Sequence, residues 1–384
     1  MFKGFLYRVL TGLEKDHKQF EKVTKNAGGG KMFRYVVWVM MISVWALVGC
    51  ERNPNDALDG LKSKSSKGAF IINEGNWGHN NGTLSYYDFA THQVQNSIFR
   101  KANGRDLGDT PQSMAIYDTL GFIVVNTSNK IEVIGLNSWK SVATISMPAN
   151  SSPRNIAFYD GKAYVTDLMT HSVSIISLSD YKVIGTINVG PNPEEIIING
   201  DKAFVANSGF GYSNTVSVID LKPGFLLKNL KVGDNPAYMI QDDGGYIHVL
   251  CGGRWPAWGD STDKGTDGSL YVIDPAGEQV VDSLALPGHP SELTYDGNES
   301  AFFIYGGHIV SYSTQSHKLV NDSLISGYYY SLEADPVGKK LFVLDAKDYT
   351  QNGELKIFDF KGILQETHVV GITPGAVTFV YDQK

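Results

Sequence analysis

The chain predicts an all-β fold, a seven-bladed β-propeller with four-stranded blades, on three observations. A proline-led strand start recurs at Pro111, Pro153, Pro193, Pro236 and Pro290, with Tyr329 in the next such place and Pro374 in the last. The steps are 42, 40, 43, 54, 39 and 45 residues, and a strand-built period of about 40–45 residues is that of a propeller blade. Glycine is abundant, 41 of 384 residues, and aromatics make up 11%, which suits many short strands joined by tight turns. The chain ends are also complementary, because 374–381 supplies one strand and 69–99 supplies three that lack an inner one. Six repeat steps plus one last blade shared between the N- and C-terminal strands make seven. Sharing that blade removes the edges an open ring would expose.

Taken in order, Lys31 and Arg34 precede an apolar run over 35–49. That run is about five residues short of the roughly 20 that a spanning helix needs, so 1–49 reads as a signal region. Met32 offers an alternative start. Residues 50–67 are polar, without apolar periodicity, and read as a flexible tether. The propeller is expected over 68–384. One blade is legible in full: an inner strand through Ile156-Ala157-Phe158, an Asp160-Gly161 turn and a second strand over 163–167. A third strand follows over 173–176, then a Ser179-Asp180 turn and a fourth strand over 183–189. Alternation of apolar and polar positions gives each such blade two packing faces.

The formal charge is −7, and residues 1–49 hold eight of the Lys/Arg and three of the Asp/Glu, leaving 25 basic against 37 acidic side chains. An acidic body excludes a nucleic-acid partner, which needs a basic face. Two cysteines supply no disulfide framework. Cys251 falls in an apolar strand and reads as a buried free thiol.

The register sorts the loops. Inner strands all start on one face, so the loops between blades and those between second and third strands emerge together on that upper face. They carry Trp77, His79, Asn126, Met169, His171, Phe210, Tyr212, Arg254, Trp255, Trp258, Tyr328 and Tyr349, the expected ligand-binding residues. The opposite face carries plain turn chemistry, Asp160-Gly161, Asn199-Gly200, Ser179-Asp180 and Asp335-Pro336. Rigid amphipathic rings with a few amides suit a large, partly polar small-molecule ligand. The 54-residue step holds a long loop around Trp255 and Trp258, expected to fold over the mouth of the central channel. Residues following each proline, among them Gln112, Arg154, Glu194, Glu195, Tyr238 and Glu292, are expected to point toward that channel. Glu194 and Glu195 are adjacent on a strand and are expected to face opposite ways.

Enzyme motifs are missing. There is no Gly-x-Ser-x-Gly elbow, no His-Glu-x-x-His and no phosphate-cradling Gly-rich loop with lysine. No cofactor and no metal site is expected. His171, His289 and His308 read as ordinary loop histidines, and Asp260, Asp263 and Asp267 depart from calcium-loop spacing.

Tyr164-Val165-Thr166-Asp167, Ser172-Val173-Ser174-Ile175-Ile176 and Gly185-Thr186-Ile187-Asn188-Val189-Gly190 resemble the YVTN-type, YncE-like propeller repeat. The blade with Ala203-Phe204-Val205-Ala206-Asn207 matches it again. Leu47-Val48-Gly49-Cys50 resembles a bacterial lipobox, and Ile72-Asn73-Glu74-Gly75-Asn76-Trp77-Gly78 is similar to the first blade of Bacteroidetes surface lipoproteins of the DUF5074-like and BtuG-like kinds. The resemblance implies lipidation at Cys50 and a lipid anchor in the outer membrane, with the body exposed at the cell surface. It also implies non-enzymatic capture of cobalamin or another corrinoid for a TonB-dependent transporter. Two other readings stay open on the residues: a lyase- or lactonase-like propeller enzyme, and a surface adhesion or protein-interaction module.

Overall fold

Successive residues of a strand point to opposite sides, and here both sides are buried. In Gly68–Asn73, Ala69 and Ile71 join a cluster with Phe342 and Leu344, while Phe70 and Ile72 join one with Met114 and Ile123. The computed structural model describes residues 68–381. The signal region, Met32, Cys50 and the 50–67 tether lie outside the described residues.

The strands form seven four-stranded antiparallel sheets. In blade 1 the C-terminal strand Pro374–Val380 is innermost and pairs with Gly68–Asn73, so the termini share a blade as the sequence implies. The inner strands of blades 2 to 7 are Pro111–Tyr117, Pro153–Tyr159, Pro193–Asn199, Pro236–Gln241, Ser291–Tyr295 and Ser331–Asp335. Seven apolar clusters, one at each junction between neighbouring blades, make up the core among the described residues. Removing a fully buried ring such as Phe204 or Phe303 would cost about 3–5 kcal/mol.

The repeat motif has a structural cause. Its terminal Asn or Asp closes the second strand and is buried, so its side chain must find partners. Asn207 donates to Ser217 on the third strand at 2.9 Å, Asn73 donates to Ser85 at 3.0 Å, and Asp167 accepts from Ser174 and Ser151. The outer strand of blade 1 is only Gln93–Gln95, and a short helix, Ile98–Asn103, follows it. The sequence pattern predicts no helix there. Ile98 and Phe99 insert into the cluster between blades 1 and 2, completing what the short strand leaves uncovered.

The lower turns follow their residue types. Asp160 and Gly161 both have positive φ, 47° and 67°, the geometry that a two-residue hairpin turn requires and that Gly and Asp tolerate. Cys251 is fully buried, and burial pushes its thiol up to about 12, so it is inert.

Candidate ligand-binding face and channel

Every expected ligand-binding residue sits in an upper-face loop. Trp77 and His79, Asn126, Met169 and His171, Phe210 and Tyr212, Arg254 with Trp255 and Trp258, and Tyr349 occupy the second-to-third-strand loops of blades 1, 2, 3, 4, 5 and 7; Tyr328 precedes the inner strand of blade 7. Nine aromatic side chains are exposed among the described residues, and six of them are here: Trp77, Tyr212, Trp255, Trp258, Tyr328 and Tyr349. Tyr328 is 90% exposed and Trp258 78%, although apolar surface of this kind is ordinarily withdrawn from water.

The loops are brought together in two groups. In one, the Arg254 guanidinium lies 5.6 Å from the Tyr212 ring centre, and Trp255 stacks on His289 at 3.6 Å. In the other, Asn76 donates to the Tyr349 carbonyl, and Tyr349 meets Tyr330 edge-on at 5.6 Å. Other residues serve the scaffold. Asn126 donates to the Pro153 carbonyl at 2.9 Å, and His171 accepts the Asn192 N–H at 3.0 Å.

The long loop is a braced structure. Asp263 accepts from both terminal nitrogens of Arg254 and from the Ala257 and Gly265 N–H groups, which holds its carboxyl well below the usual range. The Thr266 N–H donates to the Arg254 carbonyl, the Arg254 N–H donates to the Thr266 hydroxyl, and that hydroxyl donates to Asp234 at 2.8 Å. These contacts pin the loop above blade 5 against the loops beside it. Asp260 caps its own turn and Asp267 accepts the Gly288 N–H, so the three aspartates do not converge. No group of three or more His, Cys, Asp or Glu placed to hold a metal occurs among the described residues.

Beneath the loops, seven side chains ring the upper channel, one from each blade: Glu74, Gln112, Arg154, Glu194, Tyr238, Glu292 and Tyr330. Arg154 donates to Glu194 at 2.6 Å and to Gln112, which in turn approaches Glu74 at 3.4 Å. Tyr330 donates to both Glu74 oxygens at 3.0 and 3.1 Å, and Ser331 donates to Glu292 at 2.8 Å. Below them lie Glu195 and Glu333, which edge a cavity of about 390 Å³ at the lower end of the inner strands. These groups are surrounded by protein, yet the channel leaves them within reach of water. Burial pushes the carboxyls of Glu74, Glu292 and Glu333 up to about 7 and that of Glu195 up to about 8, the last helped by the charges of Glu333, Glu194 and Glu292.

Two features of this ring depart from strand alternation and repeat spacing. Glu194 and Glu195 both enter the channel, because the pairing of Pro193 with Asn207 and then Ile196 with Val205 sets two residues against one. This bulge cancels the alternation that would have separated them. Glu74 comes from a loop, where inner-strand spacing gives no signal. It fills the place left by Gly375, where a Cβ would collide with its carboxylate.

Residues 67–253 match a family described as "Domain of unknown function (DUF5074)". No curated protein matches. Among solved structures, a functionally unknown protein from Desulfotomaculum acetoxidans is similar at a TM-score of 0.61 and 15% identity, over 83% of this chain and 100% of that one. A candidate 6-phosphogluconolactonase from Bacteroides fragilis gives 0.62 at 12% identity, over 82% and 98%. Kuenenia stuttgartiensis hydrazine synthase gives 0.57 at 18%, over 69% and 88%. At such identities the likeness is one of fold.

Proposed function

We propose that the protein is a non-enzymatic binding lipoprotein, anchored through Cys50 at the outer-membrane surface, whose upper propeller face captures a large, partly polar small molecule. The observation that carries this is the placement of six of the nine exposed aromatic side chains in the upper loops. Rings held by loop-to-loop contacts offer stacking area at low entropic cost, and the Gln112, Tyr238 and Tyr330 groups beneath them offer hydrogen bonds. The resemblance of the opening blade to corrinoid-capturing surface proteins makes cobalamin the first ligand to test and a TonB-dependent transporter the first partner. Titration of cyanocobalamin into the purified protein should give heat at micromolar concentration that is lost in the Trp255→Ala/Trp258→Ala variant. No heat from the parent protein rejects the corrinoid. Protease accessibility on intact cells tests surface exposure, and a pull-down that returns a transporter supports the delivery role.

A second reading, a lactonase-like hydrolase, is favoured by the channel carboxyls near 7, a range suited to general acid–base work. Turnover of a lactone and ester panel that falls in Glu292→Gln would replace the first reading.

A further inference from the structure

We propose that the crevice between blades 5 and 6 on the lower face is a separate binding site, for a small organic ammonium ion. The crevice encloses about 450 Å³, within the range of about 300–1,000 Å³ usual for small-molecule sites. Its walls come from the inner-strand turns of both blades, which bring in Tyr246 and Tyr295, from the outer strand of blade 5 and from the 314–317 turn of blade 6.

Three carboxylates, Asp242, Asp243 and Asp282, line it, beside the neutral polar groups of Asn298, Thr314 and Gln315. The imidazole of His317 is set by Asp282, whose carboxylate lies 2.6 Å from Nδ1. No hydrogen bond among the described residues engages its Nε2. Asp242 is fixed by the Tyr246 N–H at 2.9 Å and by Nε2 of His248 at 3.0 Å; fully buried His248 is braced in turn by the Tyr312 hydroxyl at 3.2 Å. The Asp243 backbone N–H faces the Tyr295 hydroxyl at 3.4 Å, while its carboxylate takes no hydrogen bond from a described residue. No Lys or Arg lines the crevice. Of the three carboxylates beside the two tyrosine rings, that of Asp243 has no partner among the described residues, and a cation that brings several donors fits there. A primary ammonium supplies them, its charge is favoured by the rings, and its apolar stem can lie along the tyrosines. An anion is repelled, and a neutral alcohol leaves the Asp243 carboxylate without a counter-charge.

The probe is 1,5-diaminopentane, titrated by calorimetry into the full-length protein at low salt, with 1,5-pentanediol as the uncharged control. The diamine should bind, the diol should not, and Asp243→Asn should weaken the diamine about tenfold. Trp258→Ala should leave diamine binding unchanged, which separates this site from the upper face. Should Asp243→Asn unfold, Tyr246→Leu carries the same comparison. Absence of diamine heat, equal binding of the diol, or unchanged affinity in the folded crevice variant overturns the proposal.

Discussion

The upper and lower faces of the disc are made from the same repeat, yet they differ in what the repeat leaves unconstrained. Lower turns join neighbouring antiparallel strands through a few residues, and their conformation dictates Asp, Asn, Gly and Pro. Upper loops either cross from one blade to the next or span the far end of the second and third strands, so their length is free, and the 54-residue step uses that freedom. The channel follows the same division, with a hydrogen-bonded polar ring at its upper end and apolar Ile197, Ile240 and Leu293 beside Glu195 and Glu333 below. Variability is concentrated where the scaffold does not need a particular residue, which is also where large aromatic side chains stand in water.

The polar ring is where a single substitution has the largest expected effect. Arg154 is the only cation in the ring, facing Glu194, with Glu74 nearby. Arg154→Met should cost about 3–5 kcal/mol by stranding buried carboxylates, read from urea unfolding at neutral pH. The loss should shrink in acid as those carboxyls take up protons. Gly375→Ala should cost about 1–3 kcal/mol, because its methyl and the Glu74 carboxylate compete for one place. If its stability matches the parent's, Glu74 does not fill the ring position of blade 1.

The pH dependence sharpens the contrast. A carboxyl whose folded pKa lies above its value of 4.5 in the unfolded chain binds more protons when folded, so stability falls as pH rises through that interval. For Glu74, Glu292, Glu333 and Glu195, raised to about 7, 7, 7 and 8, the decline should begin near 4.5 and level off above about 8. The depressed carboxyls of Asp263 and Glu366 act with the opposite slope, and only below that window. Urea midpoints across this range check the direction, and Glu195→Gln should flatten the slope; a midpoint that rises from about pH 5 to 8 contradicts the buried ring.

The smallest stability effects belong to the exposed rings. Trp258→Ala should change stability by less than about 0.5 kcal/mol, while removing about 2 kcal/mol or more of binding energy if the residue is an anchor for the upper-face ligand. Thermal melting and ligand titration on the same sample separate the two. At the lower face, Asp160→Asn should leave both quantities unchanged, since asparagine accepts the same positive φ.

The sequence by itself determined the seven blades, the shared closing blade and the face on which each loop emerges. These follow from local rules: strand alternation, turn residues that tolerate positive φ, and a repeat whose spacing counts blades. The aromatic loops were legible for the same reason, since a register maps position to face. The tertiary structure alone decided which of those residues meet, as Arg254 meets Tyr212 and Trp255 meets His289, because partners more than thirty residues apart share no local signal. It also decided the channel ring. A bulge at Glu194-Glu195 overrode alternation, and Glu74 entered from a loop to take the place of a glycine 301 residues away in the chain. Closing a ring of blades puts seven separate parts of the chain around one axis, and the charges gathered there shift one another's protonation only once the ring is shut.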